Sequence, residues 1–272
     1  MSNNASNRSR YFVNAPVDFF FIGGSSFLLF AGLLLFNTNT RTQEIITFAV
    51  FLSWLINWPH FSMSTYRLYQ SQSNIKQYPL SAYVWRCVVI GGVALSFSFP
   101  DLVAPYFVKL FMLWSPYHFS GQTIGITFIY AMRSGIKLSG KERKIITSFV
   151  MGTYFLSTIR AETSREGYNF YGVHYPSMQI PQWIANIAEY AMWAAIIAFI
   201  AMIIYWSYRN RKMLPLIVVL PAATQYLWFV QSVYMPSFQA FVPMLHSLQY
   251  ILIAWGIQLS EKMEVRHIKP SK

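Results

Sequence analysis

Long apolar blocks alternate along the chain with short polar, basic breaks, and that pattern dictates helices. Blocks of about 18–25 residues match the length an α-helix needs to cross roughly 30 Å of hydrocarbon. Eight spans are predicted: Asp18–Phe36, Glu44–Tyr66, Ala82–Phe99, Pro105–Met132, Ile145–Ile159, Trp183–Trp206, Leu214–Val233 and Ala240–Leu259. The expected fold is all-α, a polytopic transmembrane helical bundle forming one domain over residues 18–259. A polar arm, residues 1–17, holds Asn3, Asn4, Asn7, Arg8 and Arg10, and a basic tail follows over residues 260–272. The first apolar stretch is too long for a cleavable signal and lacks a small-residue cleavage site, so it reads as the first span. One long loop, residues 160–182, carries Tyr168, Phe170, Tyr171 and Tyr175, suited to pack on the bundle mouth or lie at headgroup level. No internal repeat supports an inverted-repeat transporter.

Composition agrees and narrows the class. Of 272 residues, 55% are hydrophobic, 18% aromatic and 11% charged, where a soluble domain carries about 25% charged residues. That shortfall excludes a disordered chain, a coiled coil and a soluble nucleic-acid binder, and argues against an ordinary cytosolic enzyme. The net charge of +12 would suggest nucleic acid in a soluble chain. Here the basic residues sit between apolar blocks. With the N-terminus inside, 17 of the 21 Lys and Arg fall on the inner side, leaving Arg41, Lys109, Arg160 and Arg165 outside. That asymmetry predicts an even number of spans with both ends cytoplasmic, in a multi-pass integral membrane protein. The expected partners are the bilayer and a hydrophobic small molecule, with no nucleic acid. A single cysteine, Cys87, excludes an internal disulfide framework and a thiolate metal cluster.

Polar groups inside the spans are where chemistry is carried, because an ionisable side chain in hydrocarbon is costly and marks a functional site. Three histidines meet this condition: His60 in Asn57-Trp58-Pro59-His60-Phe61, His118 in Ser115-Pro116-Tyr117-His118-Phe119-Ser120-Gly121-Gln122, and His246 in Pro243-Met244-Leu245-His246-Ser247-Leu248-Gln249-Tyr250. Each follows a proline by one to three residues, so a helix kink is expected beside each imidazole. All three spans run in the same direction. Neutral imidazole is the commonest protein ligand for borderline divalent ions, which makes the trio a candidate metal site. Tyr117, Gln122, Ser247, Gln249 and Tyr250 are placed to orient the rings through their other nitrogens. Trp58, Phe61, Tyr117 and Phe119 are expected to line an apolar substrate pocket. The competing reading makes the histidines hydrogen-bonded links between helices.

One expectation opposes a shared site. On these boundaries His60 lies about 15 residues from the outer end of its helix and His246 about six, a depth difference of roughly 13 Å. Tilt, or a second span that begins later and ends near Gln70, closes that gap. Among the remaining polar groups, Asp18 complements the dipole of the first helix. Glu189 is the carboxylate able to enter the bundle, as a ligand, an outer partner or a proton relay. His174, in the long loop, can fold down as a ligand or stay exposed, and His267 lies in the basic tail. Gln225 and Gln231 are expected to be helix–helix contacts. Walker, GxGxxG, GxSxG and HExxH motifs are absent, as are the HxxxH and HxxHH boxes of membrane desaturases.

At these residues the chain resembles the bacterial Brp/Blh family of membrane-embedded, retinal-forming β-carotene dioxygenases. Pro59-His60, His118-Phe119-Ser120-Gly121 and His246-Ser247 follow the family's order of histidine segments. The resemblance covers three short segments. Tyr250 stands where the family has its second histidine one helical turn later, and His60 lies in the second span rather than at the start of the bundle. The resemblance implies non-haem iron and dioxygenase or other oxidoreductase chemistry on a carotenoid-like polyene, with Glu189 or His174 completing the ligand set. Another metal or haem remains open. The rival function is a non-catalytic integral subunit of a respiratory or photosynthetic complex, with partner subunits and histidines that bind haem or pigment or link helices.

Overall fold

The computed structural model describes residues 10–36 and 41–265. Asn3, Asn4, Asn7 and Arg8 of the arm, and Arg266, His267, Lys269 and Lys272 of the tail, lie outside them. The described chain is all-α apart from one small hairpin. Eight long helices occur where the apolar blocks predict them: α1 (Ala15–Leu35), α2 (Thr42–Tyr69), α3 (Leu80–Ser98), α4 (Pro100–Arg133), α5 (Gly140–Ala161), α6 (Gln182–Asn210), α7 (Leu216–Tyr234) and α8 (Val242–Val265). A helical turn, Pro236–Gln239, leads into α8, and a short helix, Gln72–Gln77, follows α2. Six of the eight, all but α4 and α5, are long and apolar enough to cross a membrane. The other two have the length, at 34 and 22 residues, but carry more polar and charged side chains.

Burial ranks the helices. In the most apolar stretch of α3 only 6% of residues are buried, against 61% for α7. The bundle is therefore built around α7 and α8, with α3 packed mainly against α4 and touching the end of α2, where Tyr69 bonds the Ala82 carbonyl. Close approach depends on missing side chains at two places. A Cβ on Gly23 would collide with Leu220 and Thr224 of α7, and one on Gly92 with Phe107 of α4. Gly23 lies in a widened π turn of α1, Phe20–Gly24.

The described end of the N-terminal arm packs on the bundle. The carboxylate of Asp18, fully buried, accepts hydrogen bonds from the backbone N–H of Phe12 and Val13 and from the Tyr130 hydroxyl on α4. Arg133 donates to the Tyr11 carbonyl. Asp18 thus holds the arm as well as sitting at a helix start. Phe12 lies against Gly256 of α8.

The long loop is a β-hairpin, β1 (Tyr168–Phe170) antiparallel to β2 (Val173–Tyr175), and β2 packs on α4. Its anchor is a buried ion pair that joins residues far apart in sequence. The ammonium of Lys109 on α4 donates to Glu162, just past α5, and to the Pro176 carbonyl at 3.0 Å. Glu162 also accepts from the N–H of Met178 at 2.8 Å. Tyr175 is buried beside this pair, and burial, reinforced by Glu162 and Tyr168, pushes its phenol above the usual range.

Removing one partner of a buried pair leaves an uncompensated charge, which costs about 3–5 kcal/mol. Glu162→Gln is expected to lower the thermal midpoint of the purified protein markedly. The double variant Lys109→Met/Glu162→Leu, which removes both charges, should recover much of that loss. A circular-dichroism melt in detergent reads both.

Candidate metal centre

His60 lies in α2 and His118 in α4, each just after a proline inside its helix. Pro243 is the second residue of α8, where a helix loses no internal hydrogen bond, so the third proline starts a helix instead of bending one. Two side chains bond the backbone beside Pro116: Tyr154 of α5 donates to the Leu113 carbonyl at 3.3 Å, and Ser120, on the same helix, donates to the Pro116 carbonyl at 2.9 Å.

The three imidazoles come together. Ring centroids are 6.1 Å apart for His60–His118, 5.4 Å for His60–His246 and 5.2 Å for His118–His246. One nitrogen from each ring lies within 4.8 Å of the other two. Nitrogens sharing one ion at about 2.1 Å stand roughly 3–3.5 Å apart, so small ring rotations bring all three onto one centre. The rings meet although α2 does not begin later than expected: it runs from Thr42 to Tyr69, with Gln70 as its cap.

Two hydrogen bonds fix the helices that carry the rings. Ser247, next to His246, donates to the Asn57 side chain of α2 at 2.7 Å, three residues from His60. The Gln122 amide, one turn after His118, donates to the His246 carbonyl at 3.0 Å. Aromatic faces restrain the rings themselves. Phe119 stacks on His246 at 3.8 Å, Trp114 stacks on His118 at 5.2 Å, and Tyr250 meets His60 edge-on at 4.4 Å. His246 is buried, and neither of its ring nitrogens has a hydrogen-bond partner; Nδ1 of His60 has none either.

Several expected residues lie elsewhere. Glu189 pairs with Arg160 at 2.9 Å, its side chain 45% exposed, and does not join the histidines. His174 is exposed on β2, facing Asn169 across the hairpin, and is not a ligand of this cluster. Gln249 donates to the Ile22 carbonyl in the widened turn of α1 and so braces α8 rather than a ring. Gln231 bonds Tyr226 of its own helix at 3.2 Å, whereas Gln225 does link helices. Its amide joins Thr123 and Ser120 of α4, both at 2.8 Å, in a buried chain of side chains.

The pocket also differs from expectation. A cleft of about 620 Å³ opens beside His118, lined by Trp114, Tyr117, Gly121, Gln122 and Ile124 of α4, Thr147 and Met151 of α5, and Tyr250 of α8. Tyr117 lines it as expected. Trp58 and Phe61 instead sit on the exposed side of α2, and Phe119 is spent behind His246. Trp114 and Gly121 share the face of His118 by helical spacing, a signal present in the sequence. The α5 wall has no such signal.

Replacing Gln225 by Leu removes two interhelical hydrogen bonds, each worth on the order of 1 kcal/mol inside a bundle. A lower unfolding midpoint in a denaturant titration is expected, with weakened seating of α4 against α7. Comparison with family models, with curated proteins and with solved structures returns no match.

Proposed function

We propose that this is an integral membrane protein of eight spans, both ends cytoplasmic, whose three histidines hold one metal ion. The reading that fits best is a non-haem iron oxygenase acting on a lipid-soluble, carotenoid-like molecule. One observation carries it. Three imidazoles from helices remote in sequence converge with ligand nitrogens within 4.8 Å, and the most buried of them, His246, holds no hydrogen bond.

That last feature weighs against the linking role. A histidine that joins helices does so through a hydrogen bond, and here the joining is done by Ser247–Asn57 and Gln122 instead. Three neutral imidazoles suit a borderline divalent ion and leave coordination positions free. Iron held in this way supplies the activation of dioxygen. The protein's own residues set the ring orientations, through Phe119, Trp114 and Tyr250, and present the cleft beside His118 to a reactant. Haem or pigment ligation in a larger complex is the second reading; the cleft of about 620 Å³ is sized for one small molecule.

Elemental analysis of the protein purified in detergent should find stoichiometric iron, absent from His118→Ala and His246→Ala. No stoichiometric iron, copper or zinc, with unchanged stability in His118→Ala, would overturn the metal centre. A Soret or chlorin band in the optical spectrum would favour the second reading. Reporters fused to either end should both report a cytoplasmic position, following the inner bias of Lys and Arg.

A further inference from the structure

Gly121 sits inside a 34-residue helix where glycine is a poor choice, since its freedom is lost on helix formation. The usual reason for such a glycine, close packing against a neighbour, does not apply. A Cβ built there meets nothing within 4 Å, and the same holds one turn later at Gly125. What Gly121 borders is the cleft that ends on His118. Leaving out its side chain keeps that cleft open to the surroundings of the bundle.

The walls are apolar along most of their length: Trp114, Ile124 and Met151. Met151 and Thr147, one turn apart on α5, face α4 across the gap. Three hydroxyls break the apolar lining, Tyr117 on α4, Thr147 on α5 and Tyr250, beside His60, on α8; the Gln122 amide also lines it but is bonded to the His246 carbonyl. None of the three hydroxyls holds a hydrogen bond within the described residues. An apolar slot with uncommitted hydroxyls, one of them beside His60, complements a molecule that is apolar along its body and polar at one tip.

We propose that this cleft binds a single lipid-soluble molecule bearing a hydroxyl or carbonyl oxygen at its leading end, admitted sideways between α4, α5 and α8 past Gly121. Thr147 and Tyr250 engage that oxygen, and Trp114 and Met151 hold the body. What happens at the oxygen rests on the reading of the histidines as a metal centre; the binding itself does not.

The test uses the full chain in lipid nanodiscs with a long-chain alcohol carrying a photoreactive diazirine, followed by mapping of labelled peptides. Saturable labelling of the α4 and α5 peptides around Gly121 and Met151 is expected. Hexadecanol should compete about tenfold better than hexadecane, the difference one hydrogen bond makes in an apolar site. Thr147→Val/Tyr250→Phe should erase that preference. Gly121→Leu should abolish saturable labelling while thermal stability and metal content stay at wild-type levels, and Gly121→Ala should retain labelling.

Labelling in Gly121→Leu equal to wild type would overturn the proposal. So would non-saturable labelling shared with α3 and α6, which marks ordinary surrounding lipid, or equal competition by alcohol and hydrocarbon. A wild-type dimer that Gly121→Leu converts to monomer would assign this face to helix association instead. Saturable labelling in a protein without stoichiometric metal would leave the slot standing and remove the metal reading.

Discussion

Everything at the centre of this molecule depends on polar groups finding partners inside the bundle. A side-chain amide or hydroxyl among apolar helices must bond to its own or another helix or go unmet at considerable cost. Gln122 meets this demand at the His246 carbonyl and Ser247 meets it at Asn57. Those two bonds set the relative height of α4, α8 and α2. Once the heights are set, the imidazoles one turn away have no choice but to converge. The apolar packing of α7 and α8 supplies the bulk of the contact but would tolerate sliding; the polar bonds do not.

His60 and His246 differ from most of the polar interior, although the buried Ser53 hydroxyl also lacks a partner. Asp18, Gln225, Ser120, Thr123 and the Lys109–Glu162 pair are all engaged with protein partners. His246 is as deeply buried and has none. Its ring is held by the face of Phe119, an arrangement that fixes orientation while leaving both nitrogens uncommitted. Such a group is costly in a folded protein without a ligand, and stacking rather than hydrogen bonding is how this site keeps its donors available.

Much of this was legible in the sequence, for reasons of length. Apolar blocks set the helices, six of them long and apolar enough to span hydrocarbon, and scarcity of polar residues within the blocks singled out His60, His118 and His246. The missed features are those that depend on contacts between distant segments. Lys109 and Glu162 are 53 residues apart, and each read alone is an ordinary charge near a helix end. Thr147 and Met151 sit on a helix with nothing to mark them, yet they form the far wall of the cleft. Trp58 and Phe61 neighbour His60 in sequence, but helical periodicity turns both to the exposed surface of α2 and neither lines the cleft. Glu189 fell to a nearer cation, Arg160.

The order of the three ring-bearing helices along the chain has a consequence for biosynthesis. His60 and His118 belong to the second and fourth helices, whereas His246 belongs to the eighth. A nascent chain that has placed its first seven helices therefore holds two imidazoles and an unfinished wall. On the proposed metal reading, ion capture waits until α8 has been made and Ser247 and Gln122 have locked it against its neighbours. Completion of the centre would then be a late checkpoint: a chain that stalls before α8 can be apolar and helical and still lack the third imidazole.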